Sequence, residues 1–381
     1  MAIIDPTAEQ RAEGIEPEIR GRSLWANAWA RLLGNKAAVG SGILLGVVAL
    51  LALLGPWLSP HPYDAIYQSY IKVPPSLEAY PREAEIPGMA ERALRRTGAE
   101  IEALDLDGTT LTLTLVGERE LDPRLTRGLD RTDDFTDVAI LDQSADGRQM
   151  TVQATVERYH FFFGTDSNGR DLMTRVFYGA RISLMIGILA TLVSLVIGVT
   201  YGATAGYLGG RIDDVMMRIV DVLYSIPFMF FVILLMVFFG RNIFLMFVAV
   251  GAVEWLDMAR IVRGQTLSVK RREFIEAAHA CGVRSSKIIR RHIVPNTLGP
   301  VVVYMTLMVP KVILLESFLS FLGLGVQEPM TSWGVLIADG ANNIVGATWM
   351  LVFPAIFLAV TLFCLNFIGD GLRDALDPKD R

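Results

Sequence analysis

The sequence predicts an all-α polytopic membrane protein with six transmembrane helices and a small β-rich extracytoplasmic insertion between helices 1 and 2. Three observations carry that expectation. The apolar residues come in blocks: residues 38–58, 182–210, 222–240 and 344–369 hold 21, 29, 19 and 26 positions without a charge. About 20 apolar residues suffice to cross a ~30 Å hydrocarbon core. Lys and Arg are spread unevenly between the connections, and residues 76–160 replace continuous apolar runs with alternation. The 381 residues are 52% hydrophobic and 20% charged, against ~25% charged in an ordinary soluble chain. Soluble, disordered, collagen-like and disulfide-scaffold classes are excluded.

Taken in order, residues 1–37 form a polar or mixed cytoplasmic tail. This stretch is too long to precede the apolar core of a cleaved signal peptide, so helix 1, residues 38–58, is expected to remain as an anchor. Helix 2 follows the insertion. Helix 3 contains Pro227, and helix 4 reads from Asn242 to Met258 with Glu254 and Asp257 near one end. Helix 5 reads from Asn296 to Gly325 and carries Lys311 and Glu316, with Pro310 inside it. Helix 6 contains Pro354, and residues 370–381 are a cytoplasmic tail. Prolines in spans remove a backbone hydrogen bond and localise bending.

Orientation follows from the basic residues. Nine of them, Arg260, Arg263, Lys270, Arg271, Arg272, Arg284, Lys287, Arg290 and Arg291, crowd the connection between helices 4 and 5. That connection, with the coupling loop at residues 263–295 within it, belongs in the cytoplasm, as does the turn Arg211 to Arg218. Val326 to Val345 has no Lys or Arg and belongs outside, with Arg241 alone in an outer turn. Six crossings with both termini cytoplasmic satisfy every loop. Trp333 and Trp349 read as interfacial anchors.

The insertion, residues 76–160, holds 18 acidic and 10 basic side chains and no Lys. Thr110 to Leu115 alternates with period two, as a half-buried strand does. Asp107-Gly108 joins it to Ile101–Leu106 in a predicted hairpin. Val138–Leu141 and Met150–Val156, joined through Asp146-Gly147, predict a second. Whether this domain docks a partner or is an ornament stays open. The two cysteines, Cys281 and Cys364, sit in unlike settings and predict no disulfide framework.

Within the cytoplasmic loop, Gln265 to Ala280 favours helix, Gly282 breaks the pattern, and Ser285 is placed to cap a second helix closed by Pro295. Two short helices about a glycine form a rigid knob able to transmit a push to helices 4 and 5; the plainer alternative is a merely orienting basic loop. Gly198, Gly202 and Gly206 put three small residues on one face of helix 2, a stripe that lets helices approach closely in lipid. Packing within this chain is the expectation. Lys311 and Glu316, five residues apart, lie ~140° from one another on a helix and are not expected to pair. Intramembrane charges face protein or a wet cavity. Glu316, with Ser317 and Ser320, is therefore a candidate for lining or gating a path, the alternatives being a structural ion pair to another helix or a position near enough the outer surface to be solvated. No G-x-x-x-x-G-K-[ST] phosphate loop is present, and the four His are scattered, so no catalytic or metal site is expected in this chain.

The loop residues Glu276-Ala277-Ala278, Gly282 and Pro295 resemble the EAA loop of binding-protein-dependent ABC importer permeases. Further stretches resemble the oligopeptide/dipeptide branch and its C-type membrane subunits: Phe163 to Asp166, Gly169-Arg170-Asp171, Gly179 to Leu184, Gly206 to Gly210, Ser317 to Gly325, Ser332-Trp333-Gly334 and Gly369 to Pro378. His292 and Val294 depart from the general loop pattern, and the insertion departs from compact members. The resemblance implies a type I ABC importer permease fold in a bacterial inner membrane. It implies that Glu276, Ala277, Ala278, Gly282, Ser285 and Pro295 couple to ATP-binding subunits. It also implies a second homologous permease, two ATP-binding subunits and an extracytoplasmic peptide-binding protein as partners. ATP and Mg would be used by those partners, with no cofactor bound here and no nucleic acid involved. An ion-coupled secondary transporter, using Lys311, Glu316 and Glu254, and a membrane-anchored assembly protein are the rival classes; no inverted repeat supports the first.

Overall fold

The computed structural model describes residues 24–95, 97–240 and 243–376; the expectations for Arg241 and for most of both tails fall outside them. A short helix, α1 (Leu24–Gly34), meets α2 (Lys36–Leu58) at Asn35, whose side chain accepts from the amides of Ala37 and Ala38. This is the cap that starts the first apolar helix, since it satisfies amides with no intrahelical partner.

Chain 59–171 then builds a separate layer. Helix α3 (Ile86–Leu94) precedes β1 (Ala99–Asp107) and β2 (Thr110–Gly117), and β3 (Phe135–Gln143) and β4 (Gln149–Val156) follow. All pairings are antiparallel, in the order β1-β2-β4-β3. Both predicted hairpins are present, and Gly108 (φ +63°) and Gly147 (φ +67°) take the left-handed turn positions between their strands. The alternation of β2 puts Leu111, Leu113 and Leu115 inside, against Met150 and Val152 of β4 and Ile86, Ala90 and Leu94 of α3.

Beyond it, α4 (Leu172–Leu208) runs 37 residues, ~55 Å at 1.5 Å per residue. It leads through Gly209 into α5 (Gly210–Ser225) and α6 (Phe228–Phe239), then α7 (Ile243–Val269) and α8 (Glu273–Ala280). A helix from Ser285 to Phe321, here α9, is followed by α10 (Trp333–Asn342) and α11 (Trp349–Leu376). Among the described residues four helices, α2, α4, α9 and α11, are long and apolar enough to cross a membrane, and α5 with residues 230–239 of α6 forms one further bent pair at 84°. The predicted helix 3 is thus no straight rod. Its apolar block is cut at Pro227, which caps α6, and the turn expected at Arg211 to Arg218 is an amphipathic helix.

Glycines bring α4 onto α7. A Cβ on Gly198 would lie 2.5 Å from Met258 Cβ and one on Gly206 would lie 2.9 Å from Thr266 Cβ, while one on Gly202 would strike the Ala259 carbonyl. Trp333 is a correction: it is fully buried, donating to the Val176 carbonyl at 3.1 Å, because the tight contact of Gly179 with Ser332 and Trp333 draws it into the bundle. Trp349 donates likewise to the Thr165 carbonyl. The sheet adjoins the start of α4 and the basic loop adjoins its end, so the two lie at opposite ends of one helix.

Candidate functional site

The basic loop is an elbow built by one turn. α8 ends in a residue pair that satisfies its last carbonyls: Gly282 N–H donates to the His279 carbonyl at 2.9 Å and Val283 N–H to that of Ala278 at 3.1 Å. That closure needs a left-handed residue, and Gly282 supplies it at φ +70°. Ile275 and Ile288, one from each arm, are buried against the bundle core with Tyr207 and Val269. Glu276, Ala277, His279 and the basic residues Arg284 and Lys287 stay exposed, as does Phe274. A groove of about 780 Å³ runs beside α8, lined by Tyr207, Lys270, Ile275, Glu276, His279 and Ser285. Lys270 Nζ anchors the elbow's base on the Tyr207 carbonyl at 2.5 Å.

Two local expectations change. The first arm begins at Glu273, since α7 continues through Gln265 and stops at Val269. The second arm does not close at Pro295. Arg284 holds the cap position, Ser285 is the first helical residue, and the chain passes through a π-helical turn, Ile289–Ile293, straight into the apolar part of α9. A wider turn accommodates a proline ring that cannot donate to the preceding turn. The elbow's second arm is therefore the same helix that carries Glu316. Pro295 lies on that helix, ~15 Å along it from Ser285.

Glu316 is completely enclosed. Ser332 donates to its Oε1 at 2.6 Å and Ser320 to the same oxygen at 2.7 Å, while Ser183 donates to Oε2 at 3.2 Å. Two of those serines also accept backbone amides: Trp333 N–H donates to Ser183 Oγ and Val335 N–H to Ser332 Oγ. Their protons are thereby directed at the carboxylate, and Glu316 ties α4, α9 and the first turn of α10 together. Ser317 lies beside them with a buried hydroxyl that has no partner among the described residues. Gly334 permits this closeness, its would-be Cβ lying 2.5 Å from Ser317 Cα.

Lys311 is elsewhere, as the helical spacing predicts: its Nζ donates to Glu254 Oε2 at 2.8 Å and to Asp257 Oδ2 at 3.1 Å. At the sheet end, Arg170 pairs with Asp166 at 2.7 Å and Glu328 at 2.9 Å, pinning the connection before α10 to the start of α4. Ser183 and Ser332 had a signal in the sequence, since each stands in a stretch carrying the family resemblance, but nothing there pointed to Glu316 as their shared acceptor. Among the described residues, no group of three or more His, Cys, Asp or Glu side chains is placed to hold a metal ion.

Long apolar helices, charge housed between them, and an exposed elbow continuous with one of them define a membrane transport component. A family profile described as "Binding-protein-dependent transport system inner membrane component" matches residues 194–381, and one described as "N-terminal TM domain of oligopeptide transport permease C" matches residues 23–75. The chain belongs to this family of ABC transporter permease subunits. The oligopeptide transport system permease protein OppC of Haemophilus influenzae is 45% identical over 98% of this chain and 94% of its own length. That of Escherichia coli K12 is 49% identical over 96% and 94%. The dipeptide permease DppC of Bacillus subtilis is 52% identical over 61% of this chain and 73% of its own. Among solved structures, inward-facing MetNI methionine ABC transporter is similar with a TM-score of 0.46 and 19% identity, covering 54% of this chain and 98% of that one. Membership makes the chain a transport component rather than an enzyme, and implies ATP-binding subunits and a substrate-binding protein as partners and an inner membrane as its setting.

Proposed function

We propose that the chain is the inner-membrane permease subunit of an ATP-driven, binding-protein-dependent peptide importer, in which it forms half of the translocation path. It pairs with a second homologous permease and two ATP-binding subunits, which use ATP and Mg, and receives peptide from an extracytoplasmic binding protein. Six crossings with both termini cytoplasmic suit the basic elbow and the sheet at opposite ends of α4, with α7, which carries Glu254 and Asp257, as one of the crossings. On this reading the sheet of residues 76–160 is an extracytoplasmic domain.

The observation that carries the reading is the continuity of the elbow with α9. When ATP draws the ATP-binding subunits together, a displacement of Glu276, Ala277, Ala278 and Ser285 passes the Gly282 joint and enters a helix that reaches Glu316 ~46 Å away. Glu316, Ser317 and Ser320 act as the gate, fastening α10 in the closed arrangement, and the spans swing between inward-open and outward-open states. The test is peptide uptake into proteoliposomes holding the assembled complex, with ATP-binding subunits active or catalytically dead. Uptake only with active subunits supports the importer; equal uptake with dead ones refutes it.

A further inference from the structure

The charge that Glu316 withholds from any path is offered elsewhere on the same helix. Lys311 lies at ~140° from Glu316 around α9, and its side chain is 49% exposed, with Asp257 24% exposed and Glu254 4%. An ammonium has three donors. Two are taken, and among the described residues nothing takes the third. Asp257 gives one oxygen to Lys311 and, among the described residues, keeps the other open. Both residues sit well inside their helices: Asp257 is one residue past the centre of α7, and Lys311 lies ten residues before the end of α9. Charge at that depth is costly in hydrocarbon and is found facing water-filled cavities or protein.

The surroundings extend the cluster along the helices. Tyr304, Leu307, Lys311, Leu314 and Phe318 recur at alternating spacings of three and four, which is one face of α9, and Leu314 and Phe318 are each about half exposed. On α7, Asp257, Ile261 and Gln265 follow at intervals of four. Between these two faces opens a groove of about 490 Å³, lined by Ile261, Gln265, Tyr304 and Leu307 and reaching Arg373 towards the elbow end.

We infer that Lys311, Glu254 and Asp257 form a peptide contact station on the translocation path, with Lys311 donating to a carbonyl or terminal carboxylate and Asp257 accepting from an amide or terminal ammonium. This deepens the importer reading and rests on it. One free donor beside one free acceptor matches the repeating peptide group, which every cargo presents. The net charge of the three groups is −1, which favours an ammonium terminus. Glu254, sealed beneath, positions Lys311 and does not itself touch cargo.

The test uses the assembled complex in proteoliposomes with a tripeptide as probe, comparing wild type, Asp257→Asn and Lys311→Arg. Asp257→Asn retains the Lys311–Glu254 pair, so the chain keeps its fold, and Lys311→Arg retains the charge. The expected result is about tenfold less peptide moved per ATP hydrolysed in Asp257→Asn, the loss of one charge-assisted hydrogen bond, with ATP turnover kept. Lys311→Arg should fall less far. In parallel, Leu314→Cys should react with a membrane-impermeant charged maleimide in the assembled complex and Val196→Cys, on the outer face of α4, should not. The site of label is read by mass spectrometry so that the exposed Cys281 does not count. Wild-type transport per ATP in Asp257→Asn, or a Leu314→Cys as unreactive as Val196→Cys, overturns the station. A wild-type complex that hydrolyses ATP without moving peptide instead sinks the importer reading beneath it.

Discussion

The sheet and the elbow stand at opposite ends of α4 and are built in opposite ways. The sheet contains its own core: Leu111, Leu113, Leu115, Met150 and Val152 are fully buried among themselves and α3. Within residues 273–291 only Ile275 and Ile288 are buried, and both lean on the bundle. The elbow leaves Phe274, Glu276 and a row of basic side chains uncovered. A region that supplies its own apolar burial is stable without a neighbour. A region that spends its residues on an exposed, jointed surface leaves that surface open to a partner, which the importer reading identifies as an ATP-binding subunit. On the importer reading, the difference puts the force-transmitting surface at the elbow and leaves the sheet either a docking domain or an ornament.

The strongest way to break that contrast is at the joint. Gly282→Val places a β-branched residue at φ +70°, which such residues adopt only under strain. The chain should insert normally while peptide uptake by the complex falls by about tenfold or more, if ~1.4 kcal/mol or more of strain is released by moving the arms. Uptake at the wild-type rate would show that the joint transmits nothing.

Next comes the gate. Glu316→Gln keeps shape but brings an amide donor to hydroxyls whose protons already point inward. Losing charge-assisted hydrogen bonds of ~1.5–3 kcal/mol each should lower uptake several-fold and lower the thermal stability of the purified complex. An unchanged melting temperature and unchanged uptake would remove Glu316 from the gate.

Smaller effects are expected at the sheet. Excising residues 78–157 should leave membrane insertion intact and raise, by a few-fold, the peptide concentration giving half-maximal uptake. Identical uptake kinetics would make the sheet an ornament, sharpening the contrast further.

The smallest effect concerns Asp134, which is buried at the sheet's base with Ser69 donating to its Oδ2 at 3.0 Å. Burial holds its carboxyl above the ordinary aspartate range, outweighing the nearby Tyr70 hydroxyl and the Ser69 hydrogen bond, which pull it down. The folded state therefore keeps a proton that the unfolded chain releases. Stability of the sheet should fall as pH rises from the ordinary aspartate value through the raised one, and Asp134→Asn should flatten that slope. Hydrogen exchange of residues 99–156 across that pH range reads it, and a slope of opposite sign would contradict the assignment.

Much of this was legible because it rests on local pattern. The uncharged block 38–58 falls wholly inside α2 and most of 344–369 inside α11, and the alternation from Thr110 to Leu115 became the inward face of β2. The Gly282 turn was legible for the same reason: one residue type suits a left-handed closure. What was hidden depends on partners distant in sequence. Trp333 looks like an anchor until Gly179 is seen to admit it to the core. Glu316 looks unpaired until Ser183, 133 positions away, is seen to donate to it. Pro295 looks like a stop because a proline rule applied to an α-helix cannot foresee a π-turn. Lys311 and Asp257 were each visible as intramembrane charges, but their meeting needed the packing of α9 on α7.

The most direct measurement places a photoreactive residue at Ala277, on the exposed arm of the elbow, and cross-links the assembled complex with and without nucleotide. An adduct to an ATP-binding subunit, changing in yield when ATP is bound, is the result expected. An adduct to lipid or to the substrate-binding protein, with none to an ATP-binding subunit, would contradict the account.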